Sequence, residues 1–331
     1  MDWITDKAMR LCKEFPNTPS RALARILQRD VSKTTDITYD QAYSRIRYRR
    51  GAKGDHMRSC AGEIIESNTT ERPHAMPMPK PKTEFDDWQI RQLKARKVLI
   101  LSDVHVPYHD ETALQLAIDK GKEEGVDAVL LNGDFMDFYG VSRYATDPGQ
   151  RNFADELEMG RAMLEYLRSE FAGCQIWWKL GNHEERWAAW IWQRAPEVYG
   201  VEDFSIAKLM RTKDHNVRII SDMEPISIGG LTVLHGHEYR FAISNPVNPA
   251  RGLYMRSKVS SMMGHLHQSS EHTESDLKGR LVTTWSVGCL CQLRPRYAPL
   301  NKWNHGFAVV DTTGEDDYRV SNYRIHGGKL L

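Results

Sequence analysis

The chain has 331 residues and a mass of 38.1 kDa, and its composition is 40% hydrophobic and 27% charged with a net charge of +1 at pH 7. This apolar content excludes disorder throughout the chain, and no apolar run approaches the ~20 residues of a membrane-spanning helix. The first ten residues lack a secretory apolar core, and the five scattered cysteines fit neither a disulfide framework nor a four-thiolate zinc site, so we expect a cytoplasmic protein with no membrane association.

The charge is unevenly divided along the chain. Residues 1–97 contain 20 Lys and Arg against 13 Asp and Glu, a net charge of +7, whereas residues 98–331 contain 25 against 31, a net charge of −6. A basic head on an acidic body indicates two modules with different partners.

Residues 1–53 predict three short helices. The first runs from Asp6 to Phe15 and the second opens at Pro19-Ser20. The third is capped by Thr38 or Asp40, and its outer face is rich in arginine (Arg45, Arg47, Arg49 and Arg50). Three short helices with a basic last one are typical of a helix-turn-helix module, so nucleic acid is an expected partner, although a solvated helix face would also explain these arginines.

Residues 54–96 predict a linker. The stretch HAMPMPKPK is rich in proline, which favours an extended and semi-rigid path. The end of this region, Glu84 to Ala95, predicts a short helix whose Phe85, Trp88 and Leu93 dock on the following domain.

Residues 97–331 alternate strand and helix patterns and then become rich in strands. The runs KVLIL, AVLLN and QIWWK are apolar, and the stretches Glu111–Glu124 and Phe153–Phe171 have helical spacing. The segments after Asp214 indicate strands of a second sheet. We therefore predict an α/β domain with three layers over 97–331.

Polar residues follow the predicted strands at five places. Ligand sites in α/β folds lie beyond the carboxyl ends of strands, so these residues are expected to converge. The five clusters are Asp103-Val104-His105, Gly133-Asp134 with Asp137, Gly181-Asn182-His183-Glu184, His235-Gly236-His237 and Gly264-His265-Leu266-His267. Burying so many imidazoles and carboxylates without a partner would cost several kcal/mol, and a mixed oxygen and nitrogen set suits a transition metal.

The ordered set D-x-H, G-D-x-x-D, G-N-H-[DE], a lone H and G-H-x-H resembles the calcineurin-like metallophosphoesterase superfamily over roughly residues 97–310. This resemblance implies a β-sandwich flanked by helices, with two metal ions held by loops at the sheet edge. Asp103, His105 and His267 would bind one ion. Asn182, His235 and His265 would bind the other, and Asp134 would bridge both. His235 is preferred to His237, which is interpreted as a supporting or surface residue.

The same resemblance implies a hydrolytic mechanism. A hydroxide between the two ions attacks phosphorus, His183 protonates the leaving alcohol as general acid, and Asp137 orients His183. Manganese is the expected metal, with iron, zinc, nickel and cobalt as alternatives, and no organic cofactor is required.

Three residues near these motifs are candidates for substrate contacts. Arg186 could touch phosphate, although a salt bridge would explain it as well, and Tyr139 and Arg143 could line a substrate groove or belong to a packed loop. Phe138 stands where the phosphoprotein phosphatases of the superfamily carry a phosphate-clamping arginine, which argues against that branch.

The GHxH ending is more similar to phosphodiesterases and nuclease subunits, and the motif style resembles bacteriophage members. We therefore expect a two-metal phosphodiesterase or nuclease acting on nucleic acid in the cytoplasm of a host cell, with a homodimer as one assembly. A phosphomonoesterase or nucleotidase for a small substrate is the alternative enzyme. A DNA-binding regulatory protein with a metal-poor scaffold domain is the alternative outside enzymes.

Overall fold

The computed structural model describes residues 3–50, 89–143, 147, 149, 152–239, 247–314 and 317–331. The chain divides into two compact units, residues 1–84 and 85–331. Across the described residues, every helix is too short or too polar to cross a lipid bilayer.

The first unit contains the three predicted helices: α1 (Trp3–Glu14), α2 (Ser20–Val31) and α3 (Tyr39–Arg50). Their apolar faces enclose a core that includes Leu23, Leu27 and Ile46, each with no exposed surface. Thr38 caps α3, since its hydroxyl accepts a hydrogen bond of 3.3 Å from the amide of Gln41. Periodicity therefore located these helices correctly.

Arg50 differs from the prediction that it lies on an outer face of α3. Its guanidinium donates hydrogen bonds to the carbonyls of Phe15, Pro16 and Thr18 in the connection between α1 and α2. These carbonyls have no partner within a helix, so a charged fork with several donors satisfies them. Arg50 therefore stabilises the module, whereas Arg47 lies over the ring of Tyr43.

The second unit is built on a seven-stranded sheet. Its strands are, in chain order, β2 (Lys97–Leu101), β3 (Ala128–Asn132), β4 (Gln175–Lys179), β5 (Val217–Ile220), β11 (His305–Thr312), β12 (Tyr318–His326) and β13 (Lys329–Leu330). Strands β2 to β5 are parallel neighbours, and β11 pairs with β2 antiparallel. The carboxyl ends of β2, β3 and β4 therefore meet at one edge.

A six-stranded sheet packs against this sheet. Its strands are β1 (Arg91–Gln92), β6 (Ile226–Ile228), β7 (Leu231–Leu234), β8 (Ser261–Met263), β9 (Ser270–Ser275) and β10 (Leu281–Ser286). Val98 and Ile100 of β2 face a core shared with Val233 and Met262 of this sheet. Alternate residues point to opposite faces of a strand, so Leu99 joins the core on the other side. The predicted β-sandwich is confirmed.

Helices cover the free faces of the two sheets. The outer face of the seven-stranded sheet packs against α4 (Glu111–Glu124), α5 (Phe153–Glu170) and α6 (Asn182–Arg194), while the short α7 (Ile206–Leu209) follows α6 and α8 (Pro249–Ser257) lies on the six-stranded sheet. The side chain of Asp110 caps α4 by accepting the amide of Ala113 at 2.9 Å. The arrangement leaves the strand-end loops of the seven-stranded sheet uncovered by these helices.

The helix predicted over Glu84–Ala95 is wrong for its described part. Arg91–Gln92 forms β1, which pairs parallel with Ile226 and Ser227. Leu93 docks in the sandwich core as predicted, with 3% of its surface exposed. Backbone hydrogen bonding to β6 outweighed a weak helical pattern, and Phe85 and Trp88 lie outside the described residues.

Candidate active site

The strand-end loops hold several of the predicted ligands in left-handed backbone conformations. Asp103 has φ 55°, His105 φ 52°, Asp134 φ 49°, His265 φ 65° and His267 φ 55°. Such angles are uncommon outside glycine, although Asp and His tolerate them better than most residues. Strain of this kind is concentrated at functional sites, because the surrounding structure must compensate for it. Here it turns successive side chains of short loops toward one point.

Glycine precedes several of these ligands because the backbone passes too close for a side chain. A Cβ on Gly264 would overlap the hydroxyl of Ser102 and lie 2.7 Å from Oδ2 of Asp103. A Cβ on Gly181 would overlap Oδ1 of Asp134 and lie 2.5 Å from its amide nitrogen. The glycines of the G-H-x-H and G-N-H motifs therefore allow the loops to pack against one another.

Asp134 lies at the centre of the cluster. Its Oδ2 is 3.2 Å from Nε2 of His235, 3.8 Å from Nε2 of His183 and 4.0 Å from Nε2 of His105. Its Oδ1 accepts a hydrogen bond of 2.9 Å from the amide of His183. Asp134 contacts both groups of candidate ligands, which is the position that a bridging carboxylate requires.

The first group of ligands lies on one side of Asp134. Nε2 of His267 is 3.1 Å from Oδ1 of Asp103 and 3.3 Å from Nε2 of His105. The donor atoms of Asp103, His105 and Asp134 lie within 4.8 Å of one another. Three buried side chains and Asp134 thus present two nitrogens and two carboxylates to one point.

The second group lies on the other side of Asp134. The donor atoms of Asp134, His235 and His265 lie within 4.8 Å of one another, and Oδ1 of Asn182 is 3.2 Å from Nε2 of His235. Nδ1 of His235 donates to the carbonyl of Asn132 at 2.8 Å, which leaves Nε2 directed at Asp134. The structure therefore brings together all seven residues that the sequence predicted as ligands.

The cluster fits two cations by its unsatisfied atoms and its charges. Oδ1 of Asp103 is buried, and no hydrogen-bond donor among the described residues is aligned with it. Burial lowers the pKa of His235, but the charge and hydrogen bond of Asp134 outweigh burial and raise it to about 10. Burial and the charge of His235 lower the pKa of His265 to about 4. Protons on imidazole thus balance the carboxylates here, and divalent cations can take their place.

His183, the predicted acid, lies at the start of α6. Its Nδ1 donates to the carbonyl of Asp137 at 2.9 Å, and its Nε2 accepts from Nη2 of Arg186 at 2.7 Å. Oδ2 of Asp137 is 3.5 Å from Nδ1 of His183 and closer, 3.1 Å, to Nδ1 of His105. Asp137 therefore orients His183 through its main chain, while its carboxylate contacts His105, a candidate ligand.

Glu184 supports the loops that carry the ligands. Its buried carboxylate accepts the amides of Gly181, Asp134 and Met136 at 2.7, 3.0 and 2.9 Å. Burial and the charge of Asp134 raise the pKa of Glu184 to about 7. The side chain of Glu184 thus connects the loop that contains Gly181 to the loop that contains Asp134 and Met136.

A cavity of about 1070 Å³ opens beside the cluster, and its walls include residues that motif analysis did not identify. Arg186 and Tyr139 line it as expected, whereas Arg143 is exposed and does not line it. The additional residues include Tyr108, Cys291, Arg296, Tyr297 and Trp303. The run RPRY after the last motif was the available signal for the arginine and tyrosine, but it has no fixed distance from the ligands.

Two other residues occupy positions that explain their roles. Phe138 is fully buried and packs on Phe153, with ring centroids 5.7 Å apart, so no cation reaches the site from this position. Nε2 of His237 donates a hydrogen bond of 3.1 Å to Oε1 of Glu185, and His237 does not line the cavity.

Comparison with known proteins agrees with this geometry. The model of the calcineurin-like phosphoesterase family matches residues 96–274. The Gene 54 protein of Mycobacterium phage L5 is 26% identical over 234 residues, which cover 67% of this chain and 91% of that protein. The Gene 54 protein of Mycobacterium phage D29 is 23% identical over 233 residues, which cover 66% and 90%.

Solved structures of low identity also align with the chain. Vacuolar Protein Sorting 29 from Cryptosporidium parvum is 14% identical with a TM-score of 0.38, covering 72% of this chain and 95% of that chain. A dimetal phosphatase from Danio rerio is 12% identical with a TM-score of 0.34, covering 69% and 95%. Because the family model matches more than half of this chain, the chain belongs to the calcineurin-like phosphoesterase family, and it is a metal-dependent phosphoesterase.

Proposed function

We propose that this phosphoesterase cleaves phosphodiester bonds of nucleic acid in a host cell. The observation that carries the proposal is the cavity beside the ligand cluster, whose walls combine aromatic rings with arginines. Tyr108 and Tyr139 form one edge-to-face pair with centroids 5.9 Å apart, and Tyr297 and Trp303 form another at 6.3 Å. Aromatic faces stack nucleobases, and guanidinium groups bind phosphates. The phage relatives support a host cell as the place of action.

The seven candidate ligands would hold two cations at the centre of the reaction. One divalent cation would be held by Asp103, His105 and His267, and the other by Asn182, His235 and His265. Asp134 would contact both cations. When bound, the two cations supply Lewis acidity, which lowers the pKa of water and neutralises phosphoryl oxygens. Manganese suits this mixture of imidazole, amide and carboxylate donors.

The leaving alcohol requires a proton, and His183 is placed to supply it. Its Nδ1 is held by the carbonyl of Asp137, so a proton on Nε2 points toward the cavity. In the structure Nε2 accepts from Arg186. Entry of a phosphate would attract the guanidinium of Arg186, so that Nε2 is free to take up a proton from water and then to donate that proton to the leaving oxygen.

The N-terminal module would deliver the enzyme to its substrate. The segment 1–97 carries the net charge of +7, and Arg45, Arg47 and Arg49 lie on α3. Deleting residues 1–50 should weaken binding to DNA and flatten its dependence on salt, because fewer counterions are released, while hydrolysis of small esters continues. An unchanged affinity for DNA after the deletion would contradict the proposal that the module delivers the enzyme to its substrate.

The activity test compares substrates that differ in their leaving groups. The manganese-loaded protein should hydrolyse bis-nitrophenyl phosphate faster than the mono-ester and should cleave oligonucleotides. Asp134→Asn should abolish all activities. His183→Ala should slow oligonucleotide cleavage by about 10²- to 10⁴-fold and the nitrophenyl diester much less, because nitrophenolate leaves without an acid.

His326→Ala, at an exposed position on β12, is the matched control and should leave every rate unchanged. Preference for the mono-ester would favour a nucleotidase instead. Failure to retain metal together with absence of any turnover would favour a scaffold that binds DNA.

A further inference from the structure

Residues 292–304 are the last part of the connection from β10 to β11 and form a basic loop at the edge of the cavity, hereafter the 292–304 loop. Its sequence, QLRPRYAPLNKWN, contains Arg294, Arg296 and Lys302 and no acidic residue. All three cations are exposed, and none forms an ion pair with a carboxylate in the part of the chain that the structure describes. Residues 98–331 carry a net charge of −6 with the loop included and −9 without it, so this concentration of positive charge is local.

The 292–304 loop is held in place although it contains no helix or strand. The amide of Gln292 donates to the carbonyl of Tyr108 at 2.9 Å, and the amide of Asn304 donates to the carbonyl of His267 at 2.9 Å. Inside the loop, the side-chain amide of Asn301 donates to the carbonyls of Leu293 and Ala298 at 2.6 and 2.7 Å. Both ends are thereby fixed to the two loops that carry candidate ligands, which preorganises a binding surface.

The aromatic side chains of the loop connect this surface to the ligand cluster. The ring of Trp303 lies against the ring of His267, with centroids 4.2 Å apart, and Tyr297 packs on Trp303. Tyr297 lines the cavity although 68% of its surface is exposed. A large aromatic residue left exposed next to a reactive site offers its face to a planar ligand.

We propose that the 292–304 loop is the track on which a single strand of nucleic acid leaves the catalytic centre. Tyr297 and Trp303 take the face of a base next to the scissile phosphate, and Arg296 and Arg294 bind the following phosphates. A duplex would not fit this arrangement, because its base faces are already stacked. A mononucleotide would leave most of the cations without a partner. The inference rests on the proposed function and specifies its substrate class.

The test compares one polymeric and one small substrate in the metal-loaded full chain. Arg294→Gln/Arg296→Gln should lower kcat/KM for a single-stranded oligothymidylate by about 10- to 100-fold, and the slope of log affinity against log salt should fall by about 1.4. Hydrolysis of bis-nitrophenyl phosphate, which has no following phosphate, should fall much less than cleavage of the oligothymidylate. Arg319→Gln/Arg324→Gln, which removes two exposed arginines of β12, is the matched control.

A second pair of variants separates stacking from folding. Tyr297→Ala should raise KM for the oligothymidylate, and Tyr297→Phe should restore it, because the ring without its hydroxyl still stacks. An equal loss on both substrates would show that the loop only supports the fold, and an unchanged oligothymidylate rate or a preference for duplex DNA would overturn the inference. If the parent protein hydrolyses the small diester but no oligonucleotide, the proposed function itself is wrong.

Discussion

The carboxylate of Asp137 lies 3.1 Å from Nδ1 of His105, which makes Asp137 a support for a candidate metal ligand as well as for His183. Burial raises the pKa of Asp137, but hydrogen bonds from His105 and His183 outweigh burial and hold it well below the ordinary value. A carboxylate in this position fixes the ring of His105 with Nε2 directed at the cluster.

Replacing this carboxylate should therefore weaken metal binding. Asp137→Asn should reduce the affinity for manganese by about 10- to 100-fold, measured by calorimetric titration of the metal-stripped protein. Asp203→Asn, a conservative change at an exposed position, should not alter the affinity. An unaltered affinity in Asp137→Asn would mean that Asp137 serves His183 alone.

Metal binding should release protons, because cations replace the protons of the buried imidazoles. The charge of Asp103 raises the pKa of His267 well above its ordinary value despite burial, as Asp134 does for His235. At pH 7 both rings are protonated without metal, so loading should release about two protons. Calorimetry in buffers of different ionisation enthalpy measures this number. Apparent affinity should fall as the pH is lowered, and an affinity independent of pH would contradict the ligand assignment.

Gly264→Ala should lower the stability of the folded protein and weaken metal binding at the candidate site. The added Cβ would overlap Ser102 and press on Asp103, and forcing atoms into a packed site typically costs about 1–3 kcal/mol. Thermal unfolding of the metal-stripped protein should show this loss, and metal should stabilise the variant less than the parent. Gly173→Ala is the control, since a Cβ there meets no atom within 4 Å. Equal unfolding temperatures for the two variants would show that the loops rearrange freely.

Glu156 should make stability depend on pH. Burial, followed by the charge of Asp137, raises its pKa from 4.5 to about 7. The folded protein therefore binds this proton more tightly than the unfolded chain, so the resulting stability is complete below pH 4.5 and is lost as the pH rises through 7. Relative to Glu156→Gln, the unfolding free energy of the parent should fall by about 3 kcal/mol across this interval.

Denaturant unfolding of both proteins at a series of pH values measures the difference. Glu158→Gln, at a neighbouring exposed position of α5, should follow the parent. Parallel curves for the parent and Glu156→Gln would show that Glu156 is charged in the folded protein at neutral pH.

The amino-acid sequence by itself determined the strands and the order of the ligand motifs. Val98 and Ile100 alternate with Leu99 and Leu101, and polar residues follow directly, so strand, core and site edge can be predicted locally. The same short stretches encode the left-handed backbone turns and the glycines that let the loops pack closely. All seven candidate ligands therefore converge as expected.

Only the tertiary structure decided the contacts between distant segments. Arg50 is fixed by carbonyls 32 to 35 residues away, and the weak pattern at Arg91–Gln92 becomes a strand because β6 offers it a free edge. The approach of Trp303 to His267 likewise depends on how a loop without periodicity is tied at both ends. Such contacts carry no spacing rule along the chain, because their free energy comes from partners that only folding brings together.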